Sequence, residues 1–415
     1  MSSETALLKQ PLAIANEPVT TAQSLAAERD QFGFSVRLFH HIEDVETIWR
    51  ALEGQSVESP GQSYDFIKLW IQTRRIASQN QFFVVGYHED RPVALMPLHR
   101  KTVKGVRLYT WFPGANVGAY SPLTDLMSVV AMSADMRKTL WTRMTSHLPP
   151  ADLMYLRAMP VEVGGVGGIF DSLGTSLEFE TLYRSHYSSW AECDQLQRSK
   201  SRRKHDRQQG ERLDAMGAVR FEDVRAGPET HTIIATMFNQ RSARFKAMGI
   251  PDTFVRENLV AFYHAAAQPG SGVDVRLHVL RLNGDIVAVR YNVVHGDKMF
   301  CLISSMSADL AIQNGSPGKQ CLLRVMQTVF DEGFRTFDMG AGFTDEKRHW
   351  CNVQIPLRQH YVPLSARGDV VLGAHQLIQR TRVRIKANRT LMGVMRWPGQ
   401  LWNRVTGTPS NHSSE

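Results

Sequence analysis

The sequence predicts a mixed α/β protein in which mostly antiparallel strands form sheets that are flanked by helices. Two successive units repeat the same element order, and each contains three β-prone segments joined by short turns. In each unit a helical segment and a further strand follow those three segments. Because a helical connection usually returns the next strand parallel to the previous one, each sheet should be mixed. The 415 residues are enough for two such domains.

The first unit opens with a short apolar strand and two helical segments, and the turns Glu89-Asp90 and Lys104-Gly105 then separate three strands. Its strands are predicted at residues 35–39, 81–87, 92–100, 106–112 and 152–158, and its helices at 42–52, around 64–70 and at 134–148.

The second unit repeats this order after a glycine-rich joint and an irregular stretch. Asn283-Gly284 is a strong hairpin signal, and Gly296-Asp297 marks the following turn. Strands are predicted at residues 219–224, 273–282, 285–294, 299–306 and 337–342, and helices at 229–247, 251–267 and from Ser316 onward. The repeated order indicates an internal duplication.

These features predict five segments along the chain. They are a disordered N-terminal tail (1–33), a first domain on the acceptor side (34–185), a basic helical connector (186–215), a second domain on the donor side (216–366) and a basic amphipathic C-terminal tail (367–415).

Composition restricts the function classes. No stretch approaches the roughly 20 apolar residues that span a bilayer, and the N-terminus lacks an apolar signal-peptide core, which predicts a cytoplasmic protein. The net charge of +8 favours an anionic partner. The four cysteines have no metal-ligand spacing, so we expect reduced thiols and no metal.

A helix start at Ser316-Pro317-Gly318-Lys319 carries the strongest chemical signal. Ser316 suits the N-cap and Pro317 the first helical position. The free amides of the first turn, the missing side chain of Gly318 and the charge of Lys319 would hold an anion such as a cofactor pyrophosphate. The alternative is ordinary helix punctuation without a ligand.

The chain from about Phe34 to Leu364 resembles the CelD/BcsL family of acetyltransferase-like proteins, which belongs to the GNAT superfamily and has tandem domains similar to the Fem peptidyltransferases. The resemblance rests on the basic run before the second unit, the segment from Phe238 to Phe245, the Ser316 helix start, and the stretch from Phe337 to Trp350. It implies a tandem GNAT-like fold.

The resemblance also implies acyl transfer from acetyl-CoA or another acyl-CoA to an amine or hydroxyl of a sugar or envelope precursor. The pyrophosphate would lie at residues 316–319. The thioester carbonyl would meet backbone amides where the preceding strand splays, near Ile303, Ser304 and Ser305, with Ser304 as a catalytic candidate. Amides aimed at a developing oxyanion lower the barrier by a few kcal/mol.

Asp338 and Lys347 are the other catalytic candidates. Asp338 interrupts an apolar strand, where a carboxylate is unfavourable unless it is paired or used. It could accept the proton of the acceptor amine, or it could be a structural partner of Lys347 or Arg348. Lys347 could stabilise the tetrahedral intermediate, or it could be a solvated loop residue.

Four residues are predicted to contact the acceptor. Arg241 and Arg244 lie three apart on one helix and could bind a phosphate or carboxylate, or lie in water. Trp111 and Tyr120 border an irregular loop of the first unit, which is expected to shape the acceptor pocket.

Two basic segments allow more than one function. The run from Arg198 to Arg207 lacks interleaved aromatic residues, so nucleic acid is not expected as a partner. The basic tail with Trp397 and Trp402 suggests peripheral contact with the inner membrane, or a helix packed on the second domain.

The leading hypothesis is an acyl-CoA-dependent acyltransferase of exopolysaccharide or envelope metabolism, including cellulose biosynthesis. Its alternatives are a Fem-like transferase that uses aminoacyl-tRNA, and a non-catalytic scaffold of a polysaccharide-synthesis complex.

Overall fold

The computed structural model describes residues 30–54, 57–113, 118–249 and 251–387. The predicted disordered tail falls almost entirely outside these residues, as does the predicted amphipathic tail from residue 388 onward.

The first half contains the five predicted strands, together with four further strands that were not predicted. They are β1 (Phe34–Phe39), β2 (Gln81–His88), β3 (Arg91–Val103), β4 (Val106–Thr110), β5 (Leu123–Thr124), β6 (Leu153–Pro160), β7 (Glu162–Val163), β8 (Val166–Gly167) and β9 (Thr175–His186). The strands of the second half are β10 (Val219–Val224), β11 (Asp274–Leu282), β12 (Asp285–His295), β13 (Lys298–Met306), β14 (Thr336–Ala341) and β15 (Val353–Pro363).

Helices cover the faces of the sheet and form the connector between the units. They are α1 (Glu46–Glu53), α2 (Tyr64–Arg74), α3 (Leu126–Ala131), α4 (Ala134–Ser146), α5 (Trp190–Gln197), α6 (Lys200–Asp214), α7 (Glu229–Ala247), α8 (Thr253–Arg256), α9 (Val260–Ala266), α10 (Pro317–Asp331), α11 (Asp345–Trp350) and α12 (Ala366–Ala387).

Both units contribute to one continuous sheet. Its strands run in the order β1-β2-β3-β4-β6-β15-β9-β14-β13-β12-β11-β10, with β5 beside β3. The pairs β4–β6 and β13–β14 are parallel, and the other pairs along the sheet are antiparallel. The predicted fold class, a mixed and mostly antiparallel sheet with helices on its faces, is confirmed.

The centre of the sheet differs from the prediction. The stretch predicted to be irregular contains β9, and β15 was not predicted at all. β15 lies within the predicted second domain (216–366), yet it pairs with β6 of the first unit and with β9. The first half of β9 is largely exposed and polar, and Leu177 and Phe179 are its only large apolar residues, so its strand signal is short.

Helices of the two units also pack against each other. Phe262 of α9 contacts Phe66 and Trp70 of α2, with ring centroids 4.8 and 4.9 Å apart. Such aromatic contacts stabilise beyond their buried area. The units therefore share helix packing as well as strands.

Candidate active site

The parallel strands β13 and β14 separate in the middle of the sheet. Their pairing runs only from Lys298 opposite Thr336 to Phe300 opposite Asp338. Beyond that point β14 continues beside β9, and β13 continues beside β12. The splay that was predicted near Ile303 therefore begins three residues earlier, and it leaves one edge of β13 without a neighbouring strand.

Two β-bulges explain the separation. In β13, the register against β12 shifts so that Leu302 is the extra residue. In β14, the register against β9 shifts between Asp338 and Ala341, where Gly340 has a φ of 78° that only glycine adopts without strain. Because a bulge bends its strand and increases the local twist, the two strands diverge here.

A cavity of about 270 Å³ occupies the gap. It is lined by residues of both units: Glu58, Ser59, Gly118, Arg157, Ala158, Phe179, Glu180, Phe300, Cys301, Leu302, Asp338, Met339, Gly340, Ala341 and Lys347. Two of the predicted catalytic residues, Asp338 and Lys347, thus line one cavity. Ligands in open α/β sheets commonly bind where adjacent strands part.

Asp338 is buried and fully hydrogen-bonded. Arg184 Nε donates to its Oδ2 at 2.7 Å, and the Gly340 amide donates to its Oδ1 at 2.7 Å. Arg184 Nη1 also lies 2.7 Å from Glu58 Oε2. The structural partner of Asp338 is therefore Arg184 and not, as the alternative supposed, Lys347 or Arg348. With both oxygens engaged, Asp338 is better placed to hold the bend of β14 than to accept a proton.

Burial opposes the positive charge of Arg184, but the two carboxylates outweigh it. The pKa of Arg184 is consequently raised above its usual value. The guanidinium stays charged and links the first unit, through Glu58, to the reactive end of β14.

Lys347 extends from α11 to the floor of the cavity. Its Nζ donates to the carbonyl oxygens of Ala341 and Gly342, at 2.7 and 2.9 Å. Burial lowers its pKa, while the charge of Asp338 works in the opposite direction. Lys347 is thus a half-buried ammonium beside the cavity, and not a solvated loop residue. An ammonium carries three N–H groups, so one remains for a ligand.

Ser316 does not form the predicted N-cap. Its backbone is left-handed, at φ 47° and ψ 59°, and its hydroxyl accepts a hydrogen bond from Gln209 Nε2 at 2.8 Å. An N-cap side chain needs an extended backbone to reach the first-turn amides. Pro317 does occupy the first helical position, so the amides of Gly318 and Lys319 are left without an intrahelical acceptor.

Helix α6 covers one side of this helix start. Leu213 packs against Gly315, and Gln320 Nε2 donates to the Asp206 carbonyl at 2.8 Å. Gly318 remains half-buried and Lys319 exposed. The first turn of α10 has no acidic residue. The amides of Gly318 and Lys319 therefore face a region where an anion is electrostatically favoured.

Three cations from different elements lie near His349. The pKa of His349 is lowered, first by burial and then by repulsion from Arg202 and Arg348, with a smaller effect of Lys319. Arg202 Nε lies 3.1 Å from Asp206 Oδ1 and Arg348 Nη2 lies 3.2 Å from Asp345 Oδ1, so carboxylates balance these two charges.

The corresponding helix of the first unit is different. At the start of α4, the Ser133 hydroxyl accepts from the Met136 amide at 3.2 Å, and Asp135 lies in the first turn. The equivalent gap between β4 and β6 is filled by Trp111 and Tyr120, whose rings stack 6.1 Å apart and are both buried. Only the second unit combines an uncapped helix start with an open gap, among the residues that the structure describes.

The other predicted site residues do not line the cavity. On β13, Ile303 and Ser305 are buried and Ser304 is exposed, and none of the three lines the cavity. Ser305 Oγ donates to Gln240 Oε1 at 2.8 Å. Arg241 lies over the rings of Phe245 and Phe254 and close to Asp252, whereas Arg244 is exposed.

Sequence reasoning missed three lining residues, Glu58, Ser59 and Arg157, which lie in the first unit. It also missed Arg184 of β9, which pairs with Asp338. The signal for Arg184 could have been its position among buried residues at the end of β9. Cys301, at the splay, was noted only as an unpaired thiol.

No group of His, Cys, Asp or Glu side chains in the described part of the chain could hold a metal ion. Residues 200–348 match the family described as Acetyltransferase (GNAT) domain. No curated protein matches the sequence.

Solved structures are similar in fold at low identity. The structure of FemX is 11% identical, covers 78% of this chain and 96% of its own, and has a TM-score of 0.50. The C-terminal domain of a putative lysylphosphatidylglycerol synthetase from Agrobacterium fabrum is 12% identical, with 80% and 94% covered and a TM-score of 0.47. A tandem GNAT protein from the clavulanic acid biosynthesis pathway is 8% identical, with 80% and 99% covered and a TM-score of 0.41. Residues 200–348 are thus similar to an acetyltransferase (GNAT) domain, and over 78% of the chain the fold is similar to that of FemX.

Proposed function

We propose that the chain is an acyl-CoA-dependent acyltransferase, and that it transfers the acyl group from the thioester to an amine. The observation that carries this proposal is that the cavity between β13 and β14 belongs to the same unit as the uncapped start of α10. The match of residues 200–348 to the acetyltransferase family supports the reaction class.

The unpaired edge of β13 supports a path for the donor. Met306, at the end of β13, lies against the start of α10, where a Cβ on Gly318 would come within 3.0 Å of the Met306 sulfur. From Leu302 to Met306 an extended strand covers roughly 13 Å. The pyrophosphate of the donor would bind at the Gly318 and Lys319 amides, and its thioester arm would follow β13 into the cavity.

The chemistry in the cavity follows from the lining residues. The amine nitrogen attacks the thioester carbonyl, the C–S bond then breaks, and the coenzyme leaves as the thiolate. Lys347 would stabilise the oxyanion of the tetrahedral intermediate with its remaining N–H. The amine must lose one proton, and Glu180 supplies a carboxylate at the solvent side of the cavity.

The acceptor is proposed to be an amino sugar or another envelope or exopolysaccharide precursor. The support is the resemblance of the chain to the CelD/BcsL family and the contribution of both units to one cavity.

Replacing Gly318 with glutamate tests the donor site. The new carboxylate would lie in the first turn of α10, next to the amides that are proposed to hold the pyrophosphate, so like-charge repulsion should weaken acetyl-CoA binding by about tenfold or more. Calorimetry with acetyl-CoA measures the effect.

The matched control is Ala134→Glu at the start of α4, where the helix is capped by Ser133. We expect this variant to bind acetyl-CoA like the unchanged chain. If the unchanged chain binds no acetyl-CoA, or if Gly318→Glu binds it equally well, the donor site is not at α10.

Peripheral membrane contact through the segment 367–415 is a separate proposal. In the described part of this segment, Val370, Leu377 and Ile378 of α12 expose apolar side chains, and these positions share one helix face. None of the described helices is long and apolar enough to cross a bilayer.

Flotation with anionic and neutral vesicles tests the proposal of membrane contact. We expect the chain to float with anionic vesicles, and we expect Leu377→Glu to weaken this binding. The proposal is contradicted if the same amount of protein is found in the floating fraction with and without vesicles.

A further inference from the structure

Arg157 lines the cavity from the first unit, and no carboxylate of the described residues pairs with it. Its guanidinium lies over the ring of Phe179 at 4.5 Å, and its buried Nε has no hydrogen-bond partner among the described residues. The neighbouring guanidinium groups are neutralised: Arg184 by Glu58 and Asp338, and Arg290 by Glu346. A half-buried cation without a counterion at a cavity indicates an anionic ligand.

The backbone around Arg157 is specialised. β6 has an extra residue here relative to β15, and Ala158 adopts a left-handed φ of 60°. This conformation is unfavourable for alanine and persists only when surrounding contacts enforce it. Strained residues and bulges concentrate where a side chain must be redirected toward a ligand.

Trp111 and Tyr120 provide those contacts. The Trp111 indole donates to the Arg157 carbonyl at 3.1 Å, and the Tyr120 amide donates to the Ala158 carbonyl at 2.9 Å. Both residues are buried behind the bulge, so they support Arg157 and do not contact a ligand themselves.

Ser59 lines the same cavity. Its side chain is 1% exposed, and its hydroxyl has no hydrogen-bond partner among the described residues. Gly118 lies opposite, where an added Cβ would be 3.5 Å from the Ser59 Cβ. A buried hydroxyl without a partner is unfavourable in the empty cavity, and a ligand acceptor atom would relieve this.

We propose that Arg157 and Ser59 bind an anionic group of the acceptor, so that the acceptor is an amine that also carries a carboxylate or a phosphate. This inference rests on the proposed acyltransferase function. It places the acidic group of the acceptor against the first unit and its amine toward the thioester at Leu302 and Lys347.

Calorimetry with three sugars of one scaffold tests the inference: glucosamine, its 6-phosphate and its 6-carboxylate, each added to the full chain without acyl donor. We expect one of the acidic sugars to bind about tenfold or more tightly than glucosamine. The affinities of the 6-phosphate and the 6-carboxylate, compared with each other, show which acidic group the site binds.

Arg157→Gln should remove that preference, while Arg220→Gln on the exposed side of β10 should retain it. Ser59→Ala is the second variant, with an expected loss of about three- to tenfold, and it remains informative if Arg157→Gln fails to fold. Equal binding of the three sugars, no binding of any of them, or a preference that survives both substitutions would overturn the inference.

Acetyl-CoA binding is measured on the same samples. A chain that binds acetyl-CoA but shows no preference for acidic sugars retains the proposed function and loses this inference. A chain that prefers acidic sugars but binds no acetyl-CoA retains an anion site at Arg157 and Ser59 and loses the proposed acyltransferase function.

Discussion

Replacing Arg184 with methionine is expected to lower the free energy of unfolding by about 3–5 kcal/mol. The substitution removes the cation between Glu58 and Asp338, which are 2% and 4% exposed, and leaves two carboxylates buried without their shared partner. Charges that are buried without a partner are among the most destabilising changes in a folded protein. Urea denaturation followed by circular dichroism measures the loss.

Two variants separate the buried charges from a general effect of losing an arginine. Arg207→Met removes the pairing with Glu211 on the exposed face of α6, where both side chains are more than 60% exposed, and should change stability by less than about 1 kcal/mol. The triple variant Glu58→Gln/Arg184→Met/Asp338→Asn carries no buried charge at this position and should recover part of the loss. If Arg184→Met is as stable as Arg207→Met, the buried network does not hold the two units together.

The second large effect is expected on catalysis. Lys347→Met retains the length of the side chain and removes the ammonium at the cavity, so kcat for release of coenzyme A should fall by about 10²–10³, while the Kd for acetyl-CoA changes little. The control is Lys298→Met. Lys298 Nζ also donates to a backbone carbonyl, that of Val57, at 3.0 Å, but it does not line the cavity. An unchanged kcat in Lys347→Met would exclude oxyanion stabilisation by this residue.

The pH dependence of Lys347 gives an independent test. Its pKa is lowered from 10.5, chiefly by burial. If the ammonium is the active form, kcat should fall as the pH rises through this lowered pKa, below the usual lysine range. In the interval between the lowered pKa and 10.5, Lys347 is neutral in the folded chain and protonated in the unfolded chain. Because the unfolded chain binds more protons there, the free energy of unfolding rises with pH. Activity and stability should therefore change in opposite directions, and Lys347→Met should lack both changes.

Much of the fold could be predicted from local patterns. The three meander strands of each unit are marked by apolar runs and by turns such as Asn283-Gly284, and the return strand β14 is marked by Phe337 and the glycines that follow it. β9 and β15, which were missed, are the central strands of the sheet, where the two units join. Their pairing depends on partners that are distant in sequence, and their polar residues are tolerated where the sheet is exposed.

The site shows the same division. Residues of a continuous segment, including Gly318, Asp338 and Lys347, could be identified as candidates because helix starts and interrupted strands are local features. The cap of α10 could not be anticipated, since Gln209 of α6 engages the Ser316 hydroxyl. Arg157 could not be anticipated either, because its role depends on a bulge that forms only against β15 and the Trp111–Tyr120 pair.

A crystal structure of the chain soaked with acetyl-CoA tests the central claim most directly. We expect the pyrophosphate at the Gly318 and Lys319 amides and the thioester carbonyl in the cavity beside Leu302 and Lys347. Density for the donor elsewhere, or an empty cavity in crystals of a chain that binds acetyl-CoA in solution, would contradict the claim that the splay of β13 and β14 is the acyl-transfer site.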